Sequence, residues 1–141
     1  MRTSLIHAAI RDPDNRNARL RPFALNHACY VWNEMPKEGS FSPSQILSKN
    51  FSCDSLQVIK SLRAWGCPVY IVDYRVASNK KLPKWEPKAQ RGVYLGSPPA
   101  HSLNVPLVLT LKTGFVTLQY HVVCDDCFSM VNIWVVVMME L

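Results

Sequence analysis

Apolar positions along this chain fall into two textures, helical in the first third and strand-like from about residue 63 onward. Leu5, Ile6, Ala8, Ala9 and Ile10 share a helical face that stops near Asp12 and Pro13. Asp12 to Arg21 is polar and reads as a loop. Pro22 then sits at a helix start, where its missing N–H costs nothing. Phe23, Leu25, Ala28, Cys29, Val31 and Trp32 form an apolar face ending before Pro36, so a helix is expected over Pro22–Met35, packed on the first. Ser42 reads as an N-cap and Pro43 as the first position of a short helix through Ile46 and Leu47. Residues 50–55 read as a connector, and 56–62 as either a turn of helix or the lead-in to a strand.

Beyond Arg63 the apolar runs are short, β-branched and aromatic. Val69–Val72 and Val93–Leu95 are strands by this criterion, the second bounded by Gly92 and Gly96. Val105–Leu111 and Phe115–Val123 flank Lys112, Thr113 and Gly114, which read as a hairpin turn with glycine supplying a positive φ. Alternation through 115–123 predicts one continuous half-buried strand. No repeat or low-complexity tract interrupts the pattern.

Charge sharpens this picture. The net charge is +6, and Lys60–Arg91 holds eight basic residues against Asp73 and Glu86, so this span carries all of it. A basic segment between two strands is either a solvated loop or a surface that contacts phosphates, where each neutralised phosphate releases counterions. Lys80, Lys81, Lys84, Lys88 and Arg91 are the cations of that surface. Trp85 has two readings, covering a neighbouring strand or stacking on a base or sugar.

Five cysteines, Cys29, Cys53, Cys67, Cys124 and Cys127, form an odd set without disulfide-framework spacing. With no secretory signal at the start of the chain, a reducing intracellular compartment is expected, nuclear or cytoplasmic. The apolar stretch Ile133–Met139 is too short to span a bilayer, and no membrane partner is expected. His121, Cys124 and Cys127 are the one His/Cys cluster, with Cys67 as the only fourth donor; their strand spacing favours core residues over a zinc site. His7 and His27 read as packing histidines. No Gly-x-Ser-x-Gly and no Gly-rich phosphate loop occurs, so neither a catalytic nucleophile nor a cofactor is expected.

Seven segments in order carry a family resemblance. They are Met1–Ala9, Pro22–Asn33, Met35-Pro36, Phe41–Leu47, Trp65–Tyr70, Lys81–Lys88 and His121–Phe128. Together they resemble the integrase region of copia-type retrotransposon Gag-Pol polyproteins, collinearly over about residues 1–131. The family usually carries Phe at the position of Cys124, which supports a packing role there.

The resemblance implies an α+β chain: two to three N-terminal helices, the tail of an RNase H-like integrase core, followed by a small SH3-like antiparallel β-barrel. It divides the sequence into remnant core helices (1–55), the SH3-like module (56–131) and an unrelated hydrophobic tail (132–141). The family's catalytic carboxylates, which hold two divalent cations, lie in segments upstream of the match. Asp12 and Asp14 sit in a loop, and the adjacent Asp125 and Asp126 diverge along a strand, so none substitutes. The expectation is therefore a truncated, catalytically inactive element fragment whose greasy tail records a frame change, an intron or decay. Modules of this kind are associated with DNA contact and subunit assembly. By position, that implies nucleic-acid binding at Lys80, Lys81, Lys84, Trp85, Lys88 and Arg91, with DNA or RNA, a second copy or other integrase subunits as partners. A protein-interaction module without nucleic-acid binding is the alternative.

Overall fold

In a computed structural model of the chain, residues 6, 8, 10, 17–38, 40–48, 60–98, 101 and 105–130 are described. The fold is α+β: helices followed by a five-stranded antiparallel sheet. Ile6, Ala8 and Ile10 are helical, as their spacing predicts. The rest of that segment, His7, the connector at 50–55, the ambiguous stretch up to residue 59 and the tail at 132–141 lie outside the described residues.

Helix α1 spans Arg21–Glu34, with Pro22 in its first turn. It begins one residue before the expected start because a 3-10 turn at Ala18–Leu20 leads into it. That turn replaces the last part of the predicted loop: Arg19 N–H donates to Asn17 Oδ1 at 2.9 Å, and Leu20 is buried. Helix α2 spans Pro43–Ser48. Its start is a reciprocal capping box, in which Ser42 N–H donates to Gln45 Oε1 (2.9 Å) and Gln45 N–H donates to Ser42 Oγ (3.3 Å). Ser44 Oγ donates to Glu34 Oε1 at 2.8 Å, tying α2 to the end of α1.

The strands are β1 (Pro68–Val72), β2 (Ala89–Gly96), β3 (Leu107–Thr110), β4 (Val116–Leu118) and β5 (Val122–Cys124). Their spatial order is β4-β3-β2-β1-β5. The β3–β4 turn is the expected hairpin: Gly114 has φ +71° and its N–H donates to Thr110 O at 2.8 Å.

The continuous strand predicted over 115–123 is a correction. It breaks at 119–121, where Gln119 N–H donates to Pro106 O, and its halves lie on opposite edges of the sheet. Alternation could not reveal this, because both halves alternate in the same phase. The break also bends the sheet. In a flat sheet with strands about 4.8 Å apart, β4 and β5 would be separated by roughly 19 Å. The chain from Leu118 to Val122 reaches at most about 14 Å. The sheet therefore curls toward itself, although β4 and β5 do not pair.

Gly92, in the middle of β2, is where the neighbouring strand β3 approaches closely. A Cβ there would lie 2.6 Å from Val108 Cγ1 and 2.8 Å from the Leu109 carbonyl oxygen. One apolar cluster lies between helix and sheet, formed by Ala8, Leu20, Ala24, Trp65, Val93 and Leu95. It draws on residues from both sides of position 55. A second cluster, on the other side of β2, holds Cys67, Val69, Ile71, Tyr94, Val108 and Phe128.

Candidate nucleic-acid interface

The excursion between β1 and β2, residues 73–88, holds most of the predicted site. Its first residues are helical, which the basic composition concealed. Helix α3 spans Tyr74–Ala77, and Asp73 caps it by accepting from Arg75 N–H at 2.9 Å. The signal was present in the sequence, an aspartate directly before a short run without Gly or Pro. Asn79 then turns the chain with φ +57°.

An ionic clamp closes the base of the excursion. Arg75 donates from Nε to Asp73 Oδ1 (3.2 Å) and from Nη2 to Asp73 Oδ2 (3.1 Å) and Glu86 Oε1 (2.6 Å). Gln90 Nε2 adds a 3.3 Å bond to Asp73 Oδ2 from β2. Asp73 is only 4% exposed, so its charge depends on these donors. The Arg75 side chain, its own backbone amide and Gln90 hold the Asp73 carboxyl far below its ordinary value of 3.8. Main-chain bonds reinforce the closure: Asp73 N–H donates to Lys88 O (3.0 Å) and Lys80 N–H to Arg75 O (2.9 Å).

The clamp changes the charge count read from the sequence. Arg75 is shared between Asp73 and Glu86, so the clamp keeps one net negative charge, and Arg63 is paired with Asp126 at 2.9 Å. Lys80, Lys81, Lys84 and Lys88 are all exposed. The first three lie beyond the clamp and Lys88 at its closing end. Arg91 is placed differently. It is half-buried on β2 opposite Tyr70, beneath the loop. There it lines a shallow groove of about 360 Å³ with Asp73, Glu86 and Lys112. Lys112, in the β3–β4 turn, is a cation that sequence reasoning assigned only to a hairpin.

Trp85 does not cover a strand. It is 91% exposed, in a turn closed by Glu86 N–H donating to Pro83 O at 3.0 Å. The Lys84 ammonium lies over its ring, 5.7 Å from the centroid.

The His/Cys cluster is split. His121 and Cys127 are exposed, Cys124 is half-buried and Cys67 is buried. Cys67 and Cys124 interact across the β1–β5 edge. The neighbouring Cys124 thiol pushes the Cys67 thiol far up, with burial adding to the effect, and Cys124 is drawn below the ordinary thiol value by Cys67. Among the described residues, no group of three or more His, Cys, Asp or Glu is placed to hold a metal ion. No described helix is long and apolar enough to cross a membrane. His27 is buried as expected, packed edge-on to Tyr94 with ring centroids 5.7 Å apart.

Family models, curated proteins and solved structures return no match to this chain.

Proposed function

We propose that this chain is a non-enzymatic nucleic-acid-binding module, an SH3-like sheet left open between β4 and β5, from a copia-type integrase region, gripping phosphates through the β1–β2 excursion. The observation that carries this reading is the clamp. It ties both acids of the excursion to Arg75 and leaves the four exposed lysines, Lys80, Lys81, Lys84 and Lys88, in excess of the single negative charge the clamp retains. Such a surface attracts a polyanion by counterion release, without reading sequence. The strand order, with the last strand returning to the first, and the curl of the sheet support the SH3-like assignment.

Three of the described carboxylates support a binding role over a catalytic one. Asp73 is held by Arg75, Asp126 by Arg63 and the Ala64 amide, and Asp125 by Ser129 and the Met130 amide. Each satisfies a local structural donor.

The test is a salt titration of the full chain against labelled duplex DNA, beside a Lys81→Ala/Lys84→Ala/Lys88→Ala variant. Three lost phosphate contacts reduce the slope of log affinity against log salt by roughly 2 to 3. An unchanged slope in a folded triple variant sinks the assignment.

The helical half favours a second reading, self-association. Trp32, Met35, Phe41, Ile46 and Leu47 are all more than half exposed on α1, α2 and the segment between them. Sedimentation over a concentration series separates the two: a dimer that ignores nucleic acid at low salt selects the second.

A further inference from the structure

Trp85 stands where a tryptophan is least expected. Burying an indole is among the larger apolar gains available to a fold, and this one forgoes nearly all of it at 91% exposure. The surrounding backbone nevertheless holds it in a defined place. Pro83 and Pro87 bracket the turn, each fixing its own φ. Glu86, the next residue, closes the turn through its N–H and is anchored through its carboxylate to Arg75. The clamp therefore fixes the residue beside the indole and lifts the ring away from the sheet.

Its two faces are unequal. Lys84 sits over the ring, so a cation occupies one face while the other remains open. Lys81 and Lys88 are exposed on either side along the chain. A flat, open π-face beside ammonium groups matches the repeating unit of a single strand, an unpaired base next to a phosphate. Duplex DNA offers phosphates to the lysines but keeps its base faces stacked within the helix. The ring gains little from it.

We propose that Trp85 is a stacking platform for an unpaired base, so that this surface takes single-stranded nucleic acid in preference to duplex. The inference rests on the lysine-loop reading above and adds to it the class of nucleic acid. Stacking on an exposed aromatic is tolerant of base identity, so the surface selects strandedness and not sequence.

Three probes with equal numbers of phosphates distinguish the contributions: an oligothymidine strand, an abasic strand and a duplex, each titrated with the full chain over a range of salt. The expected order is oligothymidine tightest. Trp85→Ala weakens oligothymidine binding by roughly 5- to 100-fold, down to the abasic level, and leaves the salt slope unchanged. Trp85→Phe restores part of the loss. Because the ring is 91% exposed, these variants keep the fold, which circular dichroism verifies. Wild-type affinity in Trp85→Ala, or equal binding of the abasic strand and oligothymidine, overturns the platform while leaving the lysine reading intact. No salt-dependent binding of any probe overturns both.

Discussion

Arg75 and Glu86, eleven residues apart, meet at 2.6 Å and turn a lysine-rich loop into a closed structural unit. Asp73 supplies the buried half of the same contact, so the guanidinium bridges an inside carboxylate and an outside one. An exposed ion pair alone contributes little to stability. The importance of this one lies in what it positions: the lysines beyond it and the indole at the residue before Glu86.

Breaking the clamp should loosen the excursion and spare the sheet. In Arg75→Ala, amide hydrogen exchange is expected to accelerate through residues 74–88, while the β2–β3 amides keep their protection. If the proposed nucleic-acid reading holds, affinity is expected to fall as well through lost preorganisation, even though no lysine has changed. Uniform acceleration across the whole sheet would mean that Arg75 supports the entire fold.

Acid should act on the same contact. The folded-state value of Asp73 lies below its ordinary 3.8, so the folded chain resists a proton that the unfolded chain accepts. Its contribution is complete above about 3.8 and is lost as pH falls through the lower folded value. Asp73→Asn should flatten the acid limb of a thermal-melting series measured below pH 4.

His27 should impose a second, milder pH dependence. Burial lowers its value from 6.5, against a smaller opposing effect from a hydrogen bond to the Arg63 backbone. The unfolded chain then binds a proton that the folded chain does not, so stability is full above 6.5 and declines as pH drops below it. His27→Phe keeps a ring against Tyr94 and removes the titration. The melting temperature of that variant should hold level where the wild type declines.

Gly92→Ala should be the most damaging small substitution in the sheet. The added methyl meets Val108 Cγ1 at 2.6 Å and the Leu109 carbonyl at 2.8 Å, and a backbone oxygen does not move aside cheaply. A loss of about 1–3 kcal/mol is expected in chemical denaturation. A neutral effect would mean that the sheet can relax its curl.

Thiol labelling should separate Cys67 from Cys124. Cys67 is fully buried and its thiol is held protonated by Cys124 and by burial, whereas Cys124 is half-buried and shifted toward thiolate. Alkylation followed by peptide mass mapping should modify Cys124 in the folded protein and reach Cys67 only on unfolding.

Local signals determined a good part of this protein without any tertiary information. Helix α1, the Ser42 cap, the strands near Val69, Val93 and Leu107, and the Gly114 turn are each specified by residues within a few positions of one another. Periodicity, capping side chains and positive-φ glycines act at that range. The lysines of the excursion were legible for the same reason, since charge is a property of composition.

Only the tertiary structure decided what those elements do together. It divided one alternating run into strands on opposite edges, because three residues had to carry the chain across a curled sheet. It tied Asp73, Arg75 and Glu86 into one ionic cluster by joining residues from the two ends of the excursion. And it left Trp85 in solvent, where the sequence favoured a ring covering a neighbouring strand. Each outcome depends on which distant groups meet, and a linear pattern of apolar and charged residues holds no record of those distances.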